Sequence, residues 1–141
     1  MTVNLNDYLC FNMRAAMKRI DKVVAEYSEN HNISTPQSFI LLCLLANDGI
    51  TLKEIGVRTL IDSSSMTVLV DKLENEGLVM RQLDPADRRA IRVFLTAAGN
   101  DLAKIVYKYI NELNDKLLSV LGSENETGFI KGLNNLAEKI N

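Results

Sequence analysis

The sequence is poor in the residues that build several common kinds of site. Only two cysteines occur among 141 residues, Cys10 and Cys43, far apart and each within a helical apolar pattern. That argues against a disulfide framework and makes the cytoplasm the expected compartment. There is a single histidine, His31, so no histidine and cysteine cluster is available to hold a metal, and no cofactor is expected. No nucleophile–base pair, metal-ligand spacing or phosphate-binding loop is present, so no catalytic residue is assigned and the chain does not read as an enzyme. Residues 1–10 lack a basic start and an apolar stretch, and no signal peptide is expected. The longest apolar run, Phe39 to Ala46, falls well short of the ~20 residues needed to cross a membrane. Linkers, low-complexity tracts and internal repeats are also missing.

Bulk positive charge is another absence. The net charge is −2 at pH 7. The charge is unevenly placed, however. Residues 81–92 hold Arg81, Arg88, Arg89 and Arg92 against Asp84 and Asp87, and residues 51–80 hold Lys53, Arg58 and Lys72 against Asp62, Asp71, Glu54, Glu74 and Glu76. The first segment is locally basic and the second locally acidic, so the two cancel. With 47% hydrophobic and 24% charged residues, the chain can bury the core of one domain or two small lobes.

Apolar periodicity divides the chain into helices. Leu5, Leu9, Met13, Ala16, Ile20, Val23, Val24 and Tyr27 recur at helical spacing over residues 5–29. Thr35 is placed to cap the next helix, with Pro36 at its first position. Phe39 to Leu45 is apolar almost all round, so that helix is expected to be central and buried. Thr51 to Glu54 forms a capping box before a short helix. A turn at residues 59–61 leads to Asp62 or Ser63 as the cap of a further helix, which Gly77 stops. Two such helices joined by a tight turn make a helix-turn-helix. Two short β-like runs follow, flanking a tip with Pro85, Asp87, Arg88 and Arg89, and read as a hairpin with a charged loop. Thr96 caps a long helix to about Leu121, and Ser123 to Glu126 is expected to be a second capping box before a last helix with Phe129, Ile130, Leu133, Leu136, Ala137 and Ile140 in its stripe.

The fold expected is therefore mainly α with a small β-hairpin wing: a winged helix-turn-helix over residues 31–96, and a helical dimerisation region from residues 1–30 and 97–141. The helices at the chain ends carry more apolar face than a small core covers, which points to a homodimer, as suits a pseudo-palindromic double-stranded DNA site. On the helix of residues 62–76, Met66, Leu69, Val70 and Leu73 share the buried face. Ser64, Val68, Asp71 and Asn75 share the opposite one, flanked by Ser63 and Thr67 on one side and Ser65 and Lys72 on the other. Small hydroxyl residues let a backbone approach a groove closely, and Val68 is placed to touch a thymine methyl. Asp71 marks where the helix leaves the groove. Arg88 and Arg89 can reach phosphates or the minor groove, with Asp87 orienting an arginine.

These elements together resemble the MarR family of winged-helix regulators over essentially the whole chain. The most specific parts are Asp62 to Thr67, Leu73 to Val79, and Asp84 to Arg89 running into Leu95-Thr96-Ala97-Ala98-Gly99. The resemblance implies a wing arginine at Arg89, an orienting partner at Asp87 and a base-reading helix from Ser63 to Lys72. It also implies a dimeric repressor released from DNA by a small ligand or an oxidant. Leu9-Cys10-Phe11 is similar to the organic-peroxide-sensing branch, in which tyrosines hold the reactive sulfur; Arg14, Val24 and Ser38 stand in their places here. Cys10 and Arg14 lie at i and i+4 and share a helix face. In a redox reading, the Arg14 cation promotes thiolate chemistry and a peroxide is the effector. In a ligand reading, Arg14 attracts a small carboxylate and Cys10 lines the pocket. A winged helix used for protein–protein contact without DNA is the competing class.

Overall fold

A computed structural model describes residues 3–140. Its backbone runs α1 (Leu9–Glu29), α2 (Thr35–Ala46), β1 (Ile50–Thr51), α3 (Leu52–Thr59), α4 (Ser63–Asn75), β2 (Val79–Leu83), β3 (Ile91–Leu95), α5 (Ala97–Leu121) and α6 (Ser123–Lys139). Among the described residues the strands make one antiparallel sheet in the order β1-β3-β2. The chain is mainly helical with a small winged sheet, as the sequence pattern predicts. It divides into two compact units, residues 1–104 and 105–141.

In the first unit, Ile40, Leu41 and Leu44 of α2 are fully buried, together with Ile55 of α3, Met66, Val70 and Leu73 of α4, and Val93 of β3. Each such aliphatic side chain contributes about 1.5–3 kcal/mol by leaving water. The face of α2 that carries Phe39 is open, so this helix is not buried all round as its composition suggests. Of the apolar stripe expected on residues 5–29, only Val24 is buried.

Local chemistry sets the element ends, and it corrects four sequence expectations. Residues 5–29 are not one helix. A 3₁₀ turn over Leu5–Asp7 comes first, and Tyr8 is extended. Asn4 and Asn12 cause the break: Asn4 Oδ1 accepts from the Asn6 amide, and Asn12 Nδ2 donates to the carbonyls of Asn6 and Tyr8. The cap of α2 is Ser34, not Thr35, because Ser34 and Gln37 close a reciprocal capping box across the first turn. The capping box expected at Ser123 is absent. Gly122 takes the N-cap position at φ 82°, which makes Ser123 already helical and leaves no side-chain cap. Finally, the wing has a third strand. Residues Ile50 and Thr51 pair with Val93 and Arg92, too short a run for a periodicity to show.

Other ends follow the sequence reading. The Thr51–Glu54 capping box forms, Asp62 caps α4, and Gly77 at φ 71° closes α4. There the Gly77 amide donates to the Glu74 carbonyl and the Leu78 amide to the Leu73 carbonyl, each at 2.9 Å, the hydrogen-bond pattern of a left-handed helix stop. The same point meets the start of α5. The Thr96 hydroxyl donates to the Gly77 carbonyl at 2.6 Å and accepts the Gly99 amide at 3.0 Å. The Thr96 amide donates to the Leu78 carbonyl at 3.1 Å.

Gly99 sits so close to this junction that an added Cβ would run into the Leu78 carbonyl. Gly99→Ala is therefore expected to destabilise the protein by about 1–3 kcal/mol through overpacking, despite alanine's better helix propensity. Thermal unfolding checks this; an unchanged or raised midpoint would refute the close approach.

Candidate nucleic-acid interface

Helix α4 and the β2–β3 loop carry most of the residues singled out above. Asp62 organises the start of α4. Its Oδ1 accepts the Ser64 hydroxyl at 2.6 Å and the Ser65 amide at 2.9 Å, while Oδ2 accepts the Ser65 hydroxyl at 2.8 Å. The Ser64 hydroxyl first, then the Ser65 amide and hydroxyl, hold this carboxyl well below the usual carboxylate range. Both hydroxyl protons are thus directed at Asp62, which leaves the serine oxygens to offer lone pairs outward. Thr67 donates its hydroxyl to the Ser63 carbonyl at 3.2 Å. Ser63, Ser64, Ser65, Thr67, Val68 and Lys72 are all exposed, Val68 at 54%. A valine so exposed on a polar face gains nothing from packing within the chain.

The loop at residues 84–90 is built on Asp84, whose residue exposure is only 6%. Its Oδ1 accepts the Ala86 amide at 2.8 Å and its Oδ2 the Arg92 Nε at 2.7 Å. The Ala86 amide, assisted by Arg92, lowers this carboxyl from its ordinary value against the opposing effect of burial. Arg92 also donates from Nη1 to the Gly49 carbonyl at 2.7 Å, which ties the loop's base to the turn before β1. The loop closes through Asp84 N to Ala90 O and Ala90 N to Asp87 O, both 2.9 Å.

The tip itself is open. Asp87, Arg88 and Arg89 are exposed. Asp87 Oδ1 accepts the Arg89 amide at 3.0 Å, but stands 3.9 Å from Arg89 Nε, with the Arg89 side chain 98% exposed. Asp87 therefore shapes the backbone at Arg89 more than it holds the guanidinium. Arg89 shares an open hollow with Thr51, Lys53 and Ile91. Lys53 is thus a cation near the tip that sequence reasoning counted only in a charge sum.

Two of the four arginines of residues 81–92 are committed within the chain. Arg92 is bound as described. Arg81 Nη1 lies 2.6 Å from Asp71 Oδ1 and 2.8 Å from Glu74 Oε2, and its amide donates to Glu74 Oε1 at 3.1 Å. Neither role shows in local sequence, because each pairing joins separate elements. Cys10 and Arg14 are both exposed on α1. Cys43 is half-buried, and burial pushes its thiol up. Among the described residues no group of three metal-ligating side chains comes together, and no helix is long and apolar enough to cross a membrane.

Residues 33–91 match the model of the MarR family. The HTH-type transcriptional regulator TtmR of Methylorubrum extorquens is 35% identical over 99 residues, 70% of this chain and 51% of that protein. Residues 33–91 are a MarR-family domain. Two solved MarR-type structures share the fold along nearly its whole length. The Staphylococcus aureus MepR–DNA complex superposes with a TM-score of 0.88 at 21% identity, covering 95% of this chain and 99% of that one. CouR, a transcriptional repressor bound to a 23-mer DNA duplex, superposes at 0.85 with 25% identity, covering 97% and 99%. The match spans about half the length of TtmR. The family and its relatives are transcriptional regulators, not enzymes. In MarR terms, α3 and α4 are the helix-turn-helix and β2–β3 the wing.

Carboxylates held below their ordinary value make this MarR domain acid-sensitive. Asp62 and Asp84 bind fewer protons folded than unfolded, so their stabilisation is present above the usual carboxylate range, near pH 4, and is lost as the pH falls below it. The thermal midpoint is expected to drop between about pH 5 and 2. The drop should be shallower in Asp62→Asn/Asp84→Asn, which starts less stable at pH 7. Parallel curves for parent and variant would remove these two groups as the cause.

Proposed function

We propose that the chain is a homodimeric DNA-binding transcriptional repressor that reads a pseudo-palindromic double-stranded site and leaves it when a small effector binds. Residues 31–96 form the DNA-binding part; residues 1–30 and 97–141 form the dimerisation part, of which residues 1, 2 and 141 lie outside the described residues. The observation that carries the DNA reading is an exposed α4 face of small hydroxyl residues and Val68 in one unit with a wing tip whose arginines extend into solvent. In this reading α4 enters the major groove. Ser63 and Lys72 meet phosphates, Ser64, Ser65 and Thr67 offer their outward lone pairs to donors on base edges, and Val68 meets a thymine methyl. Arg88 and Arg89 reach the neighbouring phosphates or minor groove, with Asp87 setting the backbone beneath them. The DNA-bound CouR repressor supports the same reading.

The dimer is supported by uncovered apolar surface. Helix α6 has no buried residue, and Leu5, Leu9, Val120, Phe129, Ile130 and Ile140 are exposed. A single chain gains nothing by displaying so many large apolar side chains at its two ends.

Sedimentation is expected to give twice the 15.8 kDa chain mass. Binding to a duplex selected from a random library should weaken steeply with salt, as counterions are released. Arg89→Ala should lower that affinity by roughly 1–3 kcal/mol and flatten the salt slope. A second reading, protein docking without DNA, is favoured by the net charge of −2 and by Leu60, exposed at 93%. Absence of duplex binding at low salt would select it.

For release, Arg14 is assigned the carboxylate of a small organic acid, with Cys10 one turn before it on the same exposed face of α1. A small acid should free the parent from DNA and leave Arg14→Ala bound, and organic peroxide should have no effect. Peroxide release abolished by Cys10→Ser would instead establish Cys10 as a redox sensor.

A further inference from the structure

The DNA-facing helix of an acidic protein carries acid of its own. Asp71 lies on the α4 face with Ser64, Val68 and Asn75, and its side chain is 53% exposed. Glu74 follows three residues on and is partly exposed. Left bare, both carboxylates would oppose approach to a phosphate backbone, since unit charges a few ångström apart interact by kilocalories in a surface environment.

One side chain answers both. Arg81 comes from β2, the first wing strand, and crosses to α4. Its Nη1 contacts Asp71 and Glu74, its Nη2 donates to the Thr67 carbonyl at 3.3 Å, and its amide donates to Glu74. Thr67, Asp71 and Glu74 stand at i, i+4 and i+7, so the guanidinium lies along one stripe of the helix. Its own side chain is only 20% exposed. A planar guanidinium can serve these three acceptors at once, which a lysine ammonium on a flexible stem cannot do with the same geometry.

We propose that Arg81 is a positioning residue for DNA recognition: it masks the acidic stripe of α4 and fixes that helix to the wing, and it does not itself contact phosphate. This rests on the DNA reading above. It explains how a helix segment with a local acidic excess can face a polyanion, and it leaves Arg88 and Arg89 as the wing's outward cations. Asp71 then lies on the interface as one of two carboxylates that share the Arg81 guanidinium, in place of marking where the helix leaves the groove.

The test uses the full-length protein and a 30-base-pair duplex of random sequence. Three proteins are compared: the parent, Arg81→Met, and the triple variant Arg81→Met/Asp71→Asn/Glu74→Gln. Arg81→Met unmasks two acids and should lose about tenfold or more in affinity at low salt. The triple variant removes the acids along with their mask. Because the trio's net charge goes from −1 in the parent to zero, it should recover the parent's affinity or exceed it, with the parent's salt slope. If Arg81 touches phosphate, the triple variant stays as weak as Arg81→Met and its salt slope is smaller by about one; that result overturns the proposal, as does parent-like binding by Arg81→Met. Should Arg81→Met fail to fold, the triple variant decides alone by the same two readouts, since neutral side chains of similar shape commonly replace an ion network without loss of fold. Failure of the parent itself to bind duplex is a separate outcome. It removes the DNA reading and this proposal with it.

Discussion

The geometry of the wing depends on one nearly buried carboxylate. Asp84 is held by the Ala86 amide and by Arg92, and Arg92 in turn reaches the Gly49 carbonyl. A carboxylate so enclosed is tolerable only because its oxygens are matched by donors. The three groups come from the loop, from β3 and from the turn before β1, so the pairing defines where the hairpin leaves the helical core. Arg88 and Arg89 have almost no contacts of their own. Their placement is inherited from this base.

The wing therefore separates its cations by task. Strand alternation directs Arg81 and Arg92 to different partners: Arg81 stands opposite Val93, and Arg92 opposite Gln82. Arg81 joins the acids of α4, and Arg92 the carboxylate of the loop. The arginines that follow Asp87 lie beyond the paired residues and project outward. A net charge summed over residues 81–92 mixes the two kinds. The arginines closed off by internal pairing contribute little to an external field, whereas those at the tip contribute fully.

This distinction marks the limit of what could be read before the fold was known. The Thr51–Glu54 box, the Asp62 cap, the Gly77 stop and the hairpin are encoded within a few residues each, and all form. The outward face of α4 and the tip arginines were legible for the same reason, since helix period and turn chemistry are local. Even local signals compete, however. Ser34 displaces Thr35 as a cap because Gln37 can answer it, and Gly122 displaces Ser123 because its backbone already fills the cap position. The two residues of β1 are too few to show alternation. Least legible are pairings set by the tertiary fold, such as Arg92 with the Gly49 carbonyl, 43 residues away, and Leu95 with Asp48, 47 residues away.

Thr96 brings α4 and the wing to a single point. Its hydroxyl and amide bind the carbonyls of Gly77 and Leu78, where α4 ends and the wing begins, and its oxygen caps the amide of Gly99 at the start of α5. Because the backbone at Gly99 lies against the Leu78 carbonyl with no room for a methyl group, the junction has little slack. A close-packed contact transmits displacement where a loose one absorbs it. Movement at the first turn of α5 must therefore carry the end of α4 and the root of the wing with it, or break the bonds of Thr96. Gly99 permits this close approach. With no Cβ at Gly99, α5 can start directly against the end of α4 and the root of the wing.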